Sequence, residues 1–411
     1  MHPRIPAAAF VLGSTLGLGC GAADPSGDSA PVSEFLYVWA AHPDPQGSSF
    51  LSVLGADPAS PGYGRVLATA QVSGSARAHH TEHVMPAGDR LFANAFREGR
   101  TFVINLEDPL APRVEASFTN AGPYSFPHSF ERTPQGNVLA TFQNQGEGDA
   151  AAGGLVELDP LGHLVRAADA ADPADPELLP YSVTLLADQD RVVTTTADMR
   201  AELLGRSFQV WRWSDLVLLH TVLLPPGPRG DENLDVAEAR VLDDGETVIV
   251  TTFRCGLYLV DGLLSNEPGA QLVYAFPWES YENDDECGLP VVMGRFWVQT
   301  VQTTGSLAVL DMSDPRLPKL VDELFLGEDA LPHWISAEPG GTRIALTGAG
   351  SLTGKILILQ MDPETGALSV VNDFRSPGAT DPGVLLKLDE AGEPARPHGV
   401  VFSHPSSRPS E

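Results

Sequence analysis

The chain has 411 residues, with 54 acidic side chains against 25 basic ones and a net charge near −29. That length is enough to bury a full core, and that charge excludes nucleic acid and an anionic membrane surface as partners, because both would repel it. Forty glycines and 35 prolines, with no stretch of sustained helical period, suit many short strands joined by tight turns.

In chain order, Met1 to Arg4 forms a weakly positive start, and Ala7 to Leu18 an apolar run shorter than the roughly 20 residues that a spanning helix needs. Residues 1–20 therefore read as a signal peptide. Leu16-Gly17-Leu18-Gly19-Cys20 resembles a bacterial lipobox, although Gly17 stands where that pattern usually has Leu. Cys20 is expected to carry lipid, so that the only membrane contact is an N-terminal anchor and the location is periplasmic or outer-membrane. Residues 21–34, rich in Gly, Ser, Asp and Pro, are expected to be a flexible tether, 35–403 the folded domain, and 404–411 a disordered tail.

The domain repeats itself every 40 to 48 residues, a period that signals a propeller or solenoid. Seven β-rich runs follow turns: Phe35 to Ala40, Leu91 to Phe96, Val138 to Gln143, Arg191 to Thr196, Thr247 to Phe253, Arg295 to Val301 and Arg343 to Gly348. After each comes a further strand and a hairpin marked by Asp, Pro or Gly, as in Leu106-Glu-Asp-Pro109 and Met312-Ser-Asp-Pro315. The expected fold is all-β, a seven-bladed β-propeller. The first unit lacks an inner strand of its own, and Pro397 to Ser403 supplies a spare one, so the C-terminal strand is expected to close the ring.

Aligned at the turn, His80, His128 and His333 share one register: each precedes a Pro by six residues and a Gly by eight. The strand before the turn is the innermost of a blade, so equivalent residues there ring the channel. Closure adds His398, and the four histidines fall in consecutive units. A lone buried histidine is usually structural, but four at equivalent positions point to metal. Imidazoles suit copper, zinc, iron or nickel, and the spacing does not choose among them. Tyr181, and Glu286 or Cys287, are expected at the same level. Glu82, two residues from His80, is a candidate to move a proton, with an ordinary salt bridge as its bland reading. Strand alternation turns His79 and His83 away, leaving them supporting roles. His42, His163, His220 and His404 share no register and read as surface residues. With Cys20 lipidated, Cys255 and Cys287 remain to pair in an oxidising compartment; the competing reading makes Cys287 a thiolate ligand.

Ala78-His-His-Thr-Glu82, Pro127-His-Ser129, Arg254-Cys-Gly-Leu-Tyr258, Met312-Ser-Asp-Pro315 with Leu324-Phe-Leu-Gly327, Pro332-His-Trp334 and Pro397-His-Gly399 together resemble the selenium-binding protein family. The resemblance runs from about residue 35 to 403. It implies a seven-bladed propeller with histidine-bound copper that oxidises methanethiol with dioxygen to formaldehyde, hydrogen sulfide and hydrogen peroxide. Carried over motif by motif, it makes His80, His128, His333 and His398 the copper ligands, with His79 and Glu82 beside them. It departs from the family at Asp231-Glu232-Asn233, where relatives often read Asp-Glu-His. A narrow channel favours a small thiol substrate. Two readings from other classes stand beside this one: a non-catalytic, metal-stabilised propeller lipoprotein that binds a protein partner, and a metal-dependent propeller hydrolase of the lactonase kind.

Overall fold

The computed structural model describes residues 32–406 apart from 45, 75, 147–151, 173–177, 200–203, 278–285 and 388–391. Cys20, the signal segment and most of the tether lie outside the described residues.

Among the described residues, seven antiparallel sheets form blades that follow one another along the chain. Blade one contains Phe35–Ala41, Phe50–Gly55 and Val66–Gln71, and blade two contains Arg90–Ala95, Arg100–Asn105 and Arg113–Phe118. The inner strands of blades three to seven are Tyr124–Arg132, Val183–Leu186, Val236–Val241, Cys287–Met293 and Ala330–Ala337. Each is paired to a second strand that begins after the turn. These middle strands read as continuous apolar runs because a neighbouring blade covers both of their faces. Phe92, Ala93 and Asn94 are all fully buried, whereas the outer strand Arg113–Phe118 alternates exposed and half-buried residues.

Blade one takes its inner strand from the far end of the chain, Arg396–Phe402, in the register Leu36↔Phe402, Tyr37↔Val401 and Val38↔Val400. The seam is apolar: Leu36, Val38, Val400 and Phe402 share one core cluster with Trp334, Ile356 and Ile358 of blade seven. The seven-bladed propeller closed by the C-terminal strand is thus the architecture of this chain.

The edges of the domain lie further out than the sequence places them. Val32–Ser33, assigned to the tether, pairs with Pro405–Ser406, assigned to the tail, and Ser33 N–H donates to Glu338 Oε1 at 2.6 Å. Glu338 is itself held by Arg343, whose guanidinium also donates to the Ala56 carbonyl. A two-residue pair carries no periodicity, so sequence pattern does not reveal it.

Candidate metal centre

The histidines are set by the blade behind them. In blade two, the Asn94 side chain donates to the Pro127 and His128 carbonyls (2.8 and 2.7 Å), while its oxygen accepts from His80 N–H (2.8 Å). Thr141 donates to the Tyr181 carbonyl (2.6 Å), Thr300 to that of His333 (3.2 Å) and Thr347 to that of His398 (2.6 Å). One small polar residue on each of these second strands thus fixes the backbone of the next blade at the level of the imidazoles. The signal was present in the sequence, as a single Asn or Thr inside otherwise apolar runs. Glycine completes the fit at the seam, where a Cβ on Gly399 would lie 2.8 Å from the Thr81 side chain.

Five imidazoles converge, one more than the repeat register placed there. His79 stacks on His80, with ring centroids 4.1 Å apart and planes 6° apart. His80 lies 4.3 Å from His128 and 5.5 Å from His398, and His333 lies 4.8 Å from His398. His79, His80 and His398 each offer a nitrogen, all within 4.8 Å of one another. The expectation that His79 points away from the cluster is therefore corrected. Strand alternation fails here because residues around 79–83, though hydrogen-bonded to Phe92 and Asn94, form an isolated bridge at Thr81↔Ala93 rather than a regular strand, so both rings turn inward. His83 sits lower in the channel, stacked on Trp334.

Burial and tautomer make these rings ligands in waiting. Burial, reinforced by the neighbouring histidines, pushes His79, His80 and His398 well below the usual imidazole range, and burial alone takes His128 down to about 3. All four are neutral at pH 7. His128 Nδ1–H donates to the Tyr181 carbonyl at 3.0 Å, which turns the Nε2 lone pair toward the cluster. His333 Nδ1 lies 2.9 Å from Glu286 Oε1 and 3.2 Å from Gln302 Nε2. The carboxylate accepts a hydrogen bond from Nδ1–H, so His333 also presents Nε2. His79 Nδ1, both nitrogens of His80, His128 Nε2 and His398 Nδ1 are buried with no hydrogen-bond partner in the protein. Each nitrogen left unmet costs about 1–3 kcal/mol, and a metal ion accepting one lone pair from each ring would remove part of that deficit. The donor set therefore fits a transition metal.

Glu82 does not join the cluster. Oε1 accepts from Arg132 Nε at 2.5 Å, and Oε2 accepts from Phe92 N–H at 2.9 Å and from Arg132 Nη2 at 3.2 Å. With both oxygens occupied, the carboxylate ties blade two to blade three, and the proton-moving role expected for it passes to no atom that faces the imidazoles. Tyr181 stands where expected, its ring centroid 3.9 Å from that of His128. Cys255 and Cys287 are joined (S–S 2.07 Å), so Cys287 is not a thiolate ligand. Asn233 is buried and donates to the Leu224 carbonyl at 2.9 Å. Asp235, two positions later, reaches the cavity, as do Phe253 and Arg254 of the same blade. His163 is exposed and paired with Asp159.

Above the cluster opens a cavity of about 890 Å³, lined on one side by His79, His333 and Glu286 and elsewhere by Phe96, Phe126, Tyr181, Met199, Leu204 and Phe253. It is wider than the narrow channel that the blade count suggests.

No family model matches the chain. A methanethiol oxidase from Hyphomicrobium is 29% identical over 143 residues, a stretch covering 31% of this chain and 32% of that enzyme, so the match spans about a third of the curated relative's length. Among solved structures, a hypothetical selenium-binding protein from Sulfolobus tokodaii superimposes with a TM-score of 0.75 at 17% identity, covering 91% of this chain and 94% of the other. A periplasmic gluconolactonase from Pseudomonas aeruginosa reaches 0.62 at 14% identity, covering 90% and 99%. The likeness to both structures is one of fold. In sequence over a third of its length, and in fold over nine tenths, the chain resembles the selenium-binding protein family.

Proposed function

We propose that the chain is a copper-dependent oxidase of thiols, with His79, His80, His128 and His398 holding the metal and His333 at its edge. The observation that carries this reading is the set of buried, neutral imidazoles whose nitrogens have no partner in the protein. Copper bound there supplies thiolate affinity and one-electron redox chemistry.

The reaction balances as RCH₂SH + O₂ + H₂O → RCHO + H₂S + H₂O₂: one C–S bond breaks, the carbon is oxidised by two electrons, and dioxygen is reduced to peroxide. The protein's own groups bind and orient. His128 and His333 are locked in one tautomer by the Tyr181 carbonyl and by Glu286. Glu286, on the cavity wall beside His333, accepts a proton at Oε1 and is the carboxylate best placed to take the thiol proton. Phe96 and Tyr181 close the sides of the cluster and exclude water from it.

Export to an oxidising compartment belongs to the same reading, with Cys20 as lipid attachment site; the Cys255–Cys287 disulfide supports it. The test is to purify the full chain, measure bound metal, record a copper(II) spectrum, and follow methanethiol loss together with sulfide and peroxide release. Protein without copper, or copper-loaded protein that consumes no thiol, overturns the proposal.

A further inference from the structure

The cavity is too large and too aromatic for a one-carbon thiol. A water molecule takes about 30 Å³ of liquid volume and methanethiol only a few times that, whereas cavities of roughly 300–1,000 Å³ hold ligands of many atoms. This one measures about 890 Å³.

Its lining is arranged in two aromatic runs that lead away from the histidines. One goes from His79 to Phe96 (5.7 Å between centroids) and on to Phe126 (5.9 Å); the other goes from His128 to Tyr181 (3.9 Å) and on to Phe253 (5.4 Å, planes at 87°). Met199 and Leu204 add apolar surface that is 40% and 46% exposed. Phe126 holds its place at a cost. Its φ is +58°, in the left-handed region that a bulky side chain rarely enters, worth about 1–3 kcal/mol of strain. The ring packs over Gly99, where an added Cβ would meet it at 3.4 Å. That strain is what puts an aromatic ring on the cavity wall two residues before His128.

Of the charged groups on the wall, Glu286 faces His333 and Arg254 lies 3.7 Å from Asp235, while Arg97 and Asp198 also line it. The two aromatic runs are the surface on which an apolar group would rest.

We propose that the preferred substrates are thiols whose sulfur-bearing carbon carries a bulky apolar group, an arylmethyl group above all, seated among Phe96, Phe126 and Phe253 with its sulfur at the histidines. This rests on the thiol-oxidase reading above and names its substrate class.

Two unreactive thioethers, benzyl methyl sulfide and dimethyl sulfide, separate the two ideas when titrated by calorimetry into the metal-free and the copper-loaded full chain. The benzyl compound is expected to bind at least tenfold more tightly in both. Phe126→Ala and Phe253→Ala are expected to weaken it at least fivefold while leaving the weak dimethyl sulfide binding and the copper content unchanged. Phe126→Leu and Phe253→Leu, which keep apolar volume, lower it about twofold and serve if the alanine variants fail to fold. Equal affinity for the two sulfides, or indifference to all four variants, overturns the inference even where copper is bound and methanethiol consumed. Benzyl selectivity in a chain that takes up no copper overturns the oxidase reading and keeps the cavity's preference.

Discussion

His79 lies face to face on His80, two consecutive residues presenting both rings to one point. Protonating either places a cation against its neighbour, so the pair is built to stay neutral. His79→Ala and His80→Ala should each weaken copper binding at least tenfold, because both rings lie against His128 and His398. His163→Ala should change nothing. Equilibrium dialysis with metal analysis reads the outcome. In metal-free protein, relief of unmet nitrogens offsets the lost packing, and mutant and parent should unfold within about 1 kcal/mol of each other.

The pH profile of the metal-free protein has two opposing parts. Unfolded, an imidazole titrates near 6.5; folded, burial keeps His79, His80, His83, His128 and His398 neutral to much lower pH. Between those values the unfolded chain binds more protons, so stability should fall as pH drops below about 6.5. Glu131, facing Glu82, Glu238 and Arg240, acts the other way. Burial raises it from 4.5 to about 7, so its ionisation removes stability as pH rises through that range. Glu131→Gln should therefore gain about 2 to 3 kcal/mol at pH 8 and almost nothing at pH 4.5, as measured by urea unfolding.

Much of this was legible in the sequence because a propeller writes its symmetry into its period. The seven units, the closing strand and the shared level of His80, His128, His333 and His398 all follow from equivalent positions. What escaped was whatever breaks the repeat. His79 joins the cluster because its segment is not a regular strand, and Glu82 leaves it because Arg132 arrives from another blade. The left-handed turn at Phe126 has no sequence signature, since bulky residues seldom adopt it.

The side chains that hold the histidine backbone give a finer test. Thr347→Val keeps the shape of the side chain but removes the hydroxyl that donates to the His398 carbonyl. It should cost about 1–2 kcal/mol and weaken copper severalfold, whereas Thr347→Ser should restore both. Asn94→Ala should cost more, because three hydrogen bonds joining His80 to His128 go with it.

Cys255 and Cys287 bind blade five to blade six beside the cavity wall, across 32 residues of sequence. Mass spectrometry under non-reducing conditions should find them linked, and Cys287→Ser should cost about 3 kcal/mol in chemical unfolding. Copper content should survive, since neither sulfur is a ligand.

Removing residues 396–411 should collapse the domain rather than trim it, because blade one then exposes Leu36, Val38 and Tyr37 along an unpaired edge. A truncated chain that melts with the parent would contradict the closed ring.

The closing strand also dates the birth of the site. Phe35 N–H donates to Ser403 Oγ across 368 residues, a contact that forms only after almost every other part of the domain has been made. His398 rides on that same strand, so no partly made propeller presents the full nest of imidazoles. A chain still lacking this strand thus lacks His398 from the cluster, and the full set of five rings exists only in the completed circle.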